Sequence, residues 1–505
     1  MMSRKRTIVK NTLSNMAFLF LQASTNFLLL PLVLNYFGKE IFGINAYILS
    51  ILLIVNFFSF AFVMSLMKFL PDLIANSDLR KLGELLSSTI FASAVLHLVL
   101  ALILFVFPYY GLQWFNVPPY LQLLTKDVVQ LVAIFLLLQF LNPIIDGILS
   151  GLEKFHLINK INLISIVSLI IAYWYVTNFN RTLVSYFFII QSGLLAQMIV
   201  KGYFAIKSFP FKITFFWPRL ENLKKALNFN LFLIANQISD HLMYTTDKLI
   251  LQKVLGASYV AYYHIAKTSF DLSHRFSSIP LAVIFPGLSA AFARKDMQFI
   301  RKMNTHGVVV YNLIVVPPLL SLFVLFDDFI KLWVGPGYEM SVLAGRLFIL
   351  VLIISAPFKI FLHTLITKGR VREFGWIRLI YSSINVFISY VLAIKIGIIG
   401  VVIPTVFNWL VVLPCLLIYL MYQETFFHFK DFFVSLISYI FVILGGLFIL
   451  FFNHYIYFKV SSWPGFILYF TICYLFFIFL FLISCPKTIK LTLVRNIHEL
   501  ISIKA

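Results

Sequence analysis

The chain is 505 residues long, 61% hydrophobic and 12% charged, with a mean hydropathy of +0.96 and 57 Phe. A water-soluble domain cannot bury that much apolar surface, so the composition excludes a soluble enzyme or binding module and leaves an integral membrane protein. The net charge of +21 invites a nucleic-acid reading, yet no run of Lys and Arg interleaves with aromatics on a polar module, and nucleic acid is not expected as a partner.

Crossing about 30 Å of hydrocarbon takes roughly 20 helical residues, and apolar stretches of that length recur along the chain. About fourteen transmembrane helices are predicted, at 12–37, 41–67, 86–108, 125–149, 157–177, 183–206, 226–248, 257–286, 305–327, 341–365, 376–396, 399–422, 433–453 and 463–485. The two-residue alternation of a membrane barrel is missing, so the fold class is all-α. The first helix follows the basic tail "MSRKRTIVK" without a small-residue cleavage site, and is expected to be retained. Placing that tail in the cytoplasm puts 28 of the 40 Lys and Arg on the cytoplasmic side and 8 in outer loops. This asymmetry predicts an even number of helices with both termini cytoplasmic, and inner cations set against the headgroups of membrane lipids.

The longest loop, 207–225, is basic and carries Pro210 and Pro218, so it reads as a linker between halves. The expected organisation is an N-terminal six-helix lobe (1–206), the linker (207–225), a C-terminal six-helix lobe (226–422), and two further helices with a basic cytoplasmic tail (423–505). No outer loop is large enough to house a glycosyltransferase or polymerase site, so the chain is not expected to be an enzyme. Cys415, Cys473 and Cys485 show no metal-ligand spacing and read as packing residues; no metal or cofactor is expected.

The helix joints repeat. "VLNYFGKEIFGINAY" and "ILQKVLGASYVAYYH" place Gly38 and Gly256 at an offset of 218, and "LSGLEKFHLINKINLISIVS" and "LITKGRVREFGWIRLIYSSIN" place Gly151 and Gly369 at the same offset. A third pair, "FLPDLIANSDLRK" and "IFPGLSAAFARKD", aligns Pro71 with Pro286 at 215. Three joints in one order indicate a duplication, and six helices per copy give two parallel repeats related by an axis along the membrane normal.

"LPLVLNYFGKEIFGINAY", "GILSGLEKF", "DKLILQKVLGASYVAYY" and "FIKLWVGPGYEMS" together resemble the polysaccharide transporter and O-antigen flippase family, within the superfamily of multidrug, oligosaccharidyl-lipid and polysaccharide exporters. The resemblance runs from about residue 8 to residue 485 and contains no catalytic signature. It implies a V-shaped, MATE-like pair of six-helix lobes around a central cavity lined mainly by the first, second, seventh and eighth helices. It also implies movement of a polyprenyl-pyrophosphate-linked oligosaccharide, such as an O-antigen unit for lipopolysaccharide, from the cytoplasmic to the periplasmic leaflet of a bacterial inner membrane. Lipid II export and multidrug export in the same architecture remain open, as does a polysaccharide polymerase partner.

The strongest local signal is "HIAKTSFDLSHR", in the middle of the eighth predicted helix. At 100° per residue Lys267, Asp271 and Arg275 share one face, with His264 and His274 at its margins. A charge near the bilayer centre costs about 2.5–3.5 kcal/mol on insertion scales, so the stripe is not expected to face lipid. Two readings stand. Either the charges form a mutually neutralised ladder holding the seventh and eighth helices together, or they line a hydrated cavity where Lys267 and Arg275 meet pyrophosphate or acidic sugars. The seventh helix adds Asn236, Gln237, Asp240 and His241, and Asp240 or Asp271 is the expected ion-coupling site for H+ or Na+. Arg346 is a further cavity candidate and Lys359 a weaker one, since each can snorkel to the headgroups. Asn26, Asn56 and Gln237 are candidates for sugar contact, although such residues in membrane helices commonly bond a neighbouring helix. Asp146 reads as a joint residue.

Overall fold

The computed structural model describes residues 2–209, 216–217, 238–239, 241–424, 427, 429–455 and 460–485. Among the described residues all regular structure is helical and no strand occurs. The predicted spans map onto α1 (Met2–Ala75), α2 (Leu79–Trp114), α3 (Pro119–Leu138), α4 (Asn142–Gly151), α5 (Phe155–Asn178) and α6 (Leu183–Ser208). They continue with α7 (Thr246–Val254), α8 (Ala257–Ala293), α9 (Met297–Val324), α10 (Phe326–Val334) and α11 (Glu339–Lys368). Four more follow: α12 (Val371–Ile396), α13 (Ile398–Tyr422), α14 (Phe429–Tyr455) and α15 (Trp463–Ser484). Among the described residues ten segments are long and apolar enough to cross a membrane, and the chain is an all-α, multi-pass membrane protein.

Two predicted boundaries differ in an instructive way. The first two spans join in α1 without a loop, because Gly38 supplies the break itself with φ 75° and ψ 170°. The fourth predicted span is instead two helices, α3 and α4, interrupted at Gln139–Leu141 ahead of Pro143. The span predicted at 226–248 lies mostly outside the described residues. So does the linker, apart from 207–209, Phe216 and Trp217; the Phe216 N–H donates to Ser87 Oγ at 2.9 Å.

The helices form two compact units, Met1–Ala261 with Arg378–Ile394, and Tyr262–Ile377 with Lys395–Ala505. In the first unit α4 packs on α1, and the contact is set by small residues, as expected where lipid removes any hydrophobic drive between helices. A Cβ at Gly147 would stand 2.9 Å from the Leu66 Cβ, and one at Gly151 would stand 3.2 Å from the Leu66 carbonyl oxygen. Leu66, Leu70, Leu86, Ile144 and Leu149 fill the resulting core. At the other end of α1, Gly43 lets the chain at Ala257 come so close that a Cβ would lie 1.9 Å from its carbonyl oxygen. The same region is clasped to the α2–α3 turn: Asn116 Nδ2 donates to the Lys253 carbonyl at 2.6 Å, and Lys253 Nζ bonds the Trp114 carbonyl and lies 4.7 Å from the Trp114 ring centroid.

In the second unit α9 packs against α11, α14 and α15. Tyr311 donates its hydroxyl proton to the Ser277 carbonyl at 2.9 Å and Tyr439 to the Ile353 carbonyl at 3.2 Å, which ties α9 to α8 and α14 to α11. Tyr109, Tyr110 and Trp114, at the end of the apolar α2, are exposed, as suits aromatics at a membrane interface, whereas Trp333 is buried in a stack with Phe329 at 5.5 Å. Cys473 and Cys485 are buried as expected of packing residues; Cys415 is exposed on α13.

Candidate functional site

At 1.5 Å per residue the 37 residues of α8 span about 55 Å, long enough to cross the hydrocarbon core, although α8 is not one of the ten segments apolar enough to count as a span. Lys267, Asp271 and Arg275 lie in the middle of this helix. Lys267 is buried; its Nζ bonds the Asp271 carboxylate and lies 4.7 Å from the Phe270 ring centroid. The His274 ring stacks on the other side of the pattern, 5.8 Å from Phe270 at 26°. The Asp271 side chain is 51% exposed, and Arg275 is exposed. Among the described residues the ion pair of the stripe closes within α8 between residues four apart, and Arg275 lies one turn further along the same face.

A second helix adds to the stripe. The charges acting on the His274 ring are, in order, Lys359, Lys267, Asp271 and Arg275, so Lys359 of α11 stands beside the α8 face. Lys359 is buried, with Nζ 4.3 Å from the Trp409 ring centroid, and it acts also on His363 one turn further along α11. His363 in turn meets Phe285 of α8 edge-to-face at 6.1 Å. The sequence ranked Lys359 below Arg346 and did not single out His363; the structure brings Lys359, not Arg346, within electrostatic reach of the α8 stripe. Arg346 is half-buried and acts on Asp328 of α10, 13 positions before Lys359 and about 20 Å along the axis from it.

His264 is half-buried toward the start of α8, where its carbonyl accepts the Thr268 hydroxyl proton at 2.8 Å. Asn26 is exposed on α1 in the first unit, and Asn56 lies further along the same helix with its side chain outside the described residues. Asn236, Gln237 and Asp240 also lie outside them, whereas His241 is described and shares a 3.3 Å contact between Nδ1 and Thr245 Oγ1.

One ion pair escaped sequence reasoning. Lys201 sits inside α6, where its Nζ reaches Asp146 Oδ1 of α4 at 2.7 Å with the lysine side chain 2% exposed. The available signal was the spacing of Gln197 and Lys201 one turn apart in an apolar helix; Gln197 Nε2 donates to Asn162 Oδ1 at 2.6 Å, so both polar residues of that face are used to join helices. Among the described residues no group of three or more His, Cys, Asp or Glu could hold a metal ion. A recess of about 720 Å³ along α2, lined by Leu102, Val106, Tyr110 and Trp114 among others, is apolar and shares no residue with the stripe, so it offers the charged chemistry nothing.

Comparison with known proteins agrees with this architecture. An uncharacterized membrane protein of Methanocaldococcus jannaschii is 24% identical over 434 residues, covering 81% of this chain and 83% of its own. The solved structure of the lipid II flippase MurJ in an inward closed conformation superposes with a TM-score of 0.72 at 18% identity, covering 93% of this chain and 98% of that one. An inward-facing multidrug resistance MATE family transporter of the MOP superfamily gives 0.63 at 13% identity, covering 79% and 94%. At these identities the likeness establishes the fold. Residues 8–292, more than half of the chain, match the family described as polysaccharide biosynthesis protein, and the chain belongs to that family.

Proposed function

We propose that the protein is a flippase that moves a polyprenyl-pyrophosphate-linked oligosaccharide from the cytoplasmic to the outer leaflet by alternating access, in a bacterial cytoplasmic membrane with both termini inside. The observation that carries this reading is the cationic excess of the α8–α11 face. Lys267, Arg275, Lys359 and Asp271 all act on the His274 ring, three cations to one described carboxylate, and Lys359 acts on His363 as well. An exposed charge in a helix that crosses lipid has to meet water, so Arg275 and Asp271 speak for a hydrated site rather than a lipid-facing one. An anionic diphosphate suits that excess, because the Arg fork and the Lys point charges replace the water it loses. A cationic drug would be repelled by the same groups. Asp271 is the described candidate for H+ or Na+ coupling: protonating it would release Lys267 toward the substrate.

The test is flipping of a lipid-linked oligosaccharide in reconstituted vesicles by the intact protein and by Lys267→Ala/Arg275→Ala at equal membrane insertion. Losing two charge-assisted contacts, each worth about 1.5–3 kcal/mol, is expected to lower flipping by more than tenfold. Undiminished flipping would remove the stripe from the substrate path. Lipid II run in parallel separates the two diphosphate-linked cargos.

A further inference from the structure

The segment "GLEKFHLINK" closes α4 and opens α5, and it does so with a tight turn. Glu153 takes φ 55°, its N–H donates to the Ser150 carbonyl at 3.0 Å, and the Lys154 N–H donates to the Leu149 carbonyl at 2.9 Å. Onto this turn the start of α1 is latched by one side chain. Asn11 Nδ2 donates to the Glu153 carbonyl at 2.7 Å, while Asn11 Oδ1 faces both the His156 N–H and the His156 ring Nδ1 at 3.1 Å. Lys154 Nζ is fixed separately to Ser208 Oγ at 2.7 Å, at the end of α6.

The consequence is a convergence of like charges. Lys10, beside the latch, and Lys154 and Lys160, beyond it, all act on the His156 ring, and Lys10 and Lys160 are exposed. Glu153 adds one carboxylate on the turn itself, which leaves the cluster cationic. The rule that favours basic loops on the cytoplasmic side asks only that Lys and Arg be on that side; it does not ask that a lysine at the start of α1 and lysines at the α4–α5 turn be brought together by a bonded latch. Holding them together raises their mutual repulsion, and a bound anion relieves it.

We propose that Lys10, Lys154 and Lys160, gathered by Asn11 around the α4–α5 turn, form a docking site for the phosphoryl headgroup of a membrane lipid on the face that carries the N-terminus. The headgroup is either the diphosphate of the carried lipid, so that the site loads substrate before it reaches the α8 stripe, or the phosphate of an anionic phospholipid. The first source rests on the flippase reading; the second does not.

The experiment uses the full chain in phosphatidylcholine nanodiscs, titrated separately with farnesyl diphosphate, phosphatidylglycerol and, as an uncharged control, farnesol. Three proteins are compared: wild type, Lys10→Gln/Lys160→Gln, and Asn11→Ala, which keeps every charge but releases the latch. Orientation is checked by protease protection. Affinity is expected to fall about tenfold in the double variant and severalfold in Asn11→Ala, with farnesol unaffected. Loss confined to farnesyl diphosphate assigns the site to the carried lipid, and loss confined to phosphatidylglycerol assigns it to a phospholipid; either supports the site. Unchanged binding of both in both variants overturns it. Lys267→Ala/Arg275→Ala, measured alongside, keeps the two readings apart. If that variant stops flipping while the lysine variants bind normally, the docking site fails and the flippase stands. If wild type flips nothing, yet phosphatidylglycerol binding still depends on Lys10 and Lys160, the docking site stands alone.

Discussion

Each unit holds a lysine–aspartate pair within its helices, and the two pairs differ in what they leave over. In the first unit Lys201 and Asp146 meet at 2.7 Å between α6 and α4, with side chains 2% and 26% exposed. In the second, Lys267 and Asp271 meet within α8 with side chains 11% and 51% exposed, and Arg275 and Lys359 stand around them. A pair that joins two helices and hides its lysine serves the fold. A pair that stays on one helix, exposes its carboxylate and has further cations near it is the arrangement the proposed flippase site calls for.

The largest expected effect tests the closed pair. Asp146→Ala leaves the Lys201 ammonium buried without its partner, and breaking one side of a buried pair costs about 3–5 kcal/mol. Thermal melting in detergent should drop sharply, while Lys201→Met/Asp146→Leu, which removes both charges together, should recover most of the loss. Normal melting of Asp146→Ala with lost transport would instead make this pair part of the transport machinery and erase the contrast.

An intermediate effect tests the open site. Lys359→Met keeps the apolar stem that packs near Trp409 but removes the charge beside His274, so melting should move less than for Asp146→Ala. The apparent affinity for a lipid-linked substrate should fall severalfold, read from the substrate dependence of flipping. An unchanged affinity would return Lys359 to a structural role on α11.

The smallest effect lies outside both pairs. Asp78 caps α2 by accepting the Lys81 N–H at 3.1 Å, and its carboxylate accepts from Lys81 Nζ at 2.7 Å. The side-chain bond to Lys81 comes first among the causes that hold its carboxyl below the usual carboxylate range. A carboxylate lowered on folding contributes in full above its ordinary value near 4, and the contribution fades as the pH falls through the lowered value. Amide exchange in the first turn of α2 should therefore quicken, slightly, only at acid pH, and Asp78→Ala should remove that pH dependence.

Hydropathy was sufficient to find most of the described helices, because lipid demands an apolar run for each crossing, and the joints were legible where a glycine is needed: Gly38, Gly256 and Gly369 all take positive φ. Gly151 shows where such reading stops. It aligns with Gly369, yet it stays helical and is needed for its closeness to Leu66, while the left-handed turn passes to Glu153 two residues on. The stripe on α8 was legible because its residues lie one turn apart on a single helix. Lys359 and His363 joining it, and Lys201 meeting Asp146, were not, since nothing in a helical period says which helix will lie beside which.

Gly38 and Gly43, on the same helix, would look alike in any column of related sequences, but they restrict change by different currencies. At Gly38 the space beyond the missing Cβ is empty and the restriction is an angle, since φ 75° with ψ 170° is a region that essentially glycine alone enters. At Gly43 the angle is ordinary and the restriction is a volume, already taken by the Ala257 carbonyl. A shift of the backbone at residue 257 can therefore lift the restriction at the second position, whereas no neighbour's change lifts it at the first.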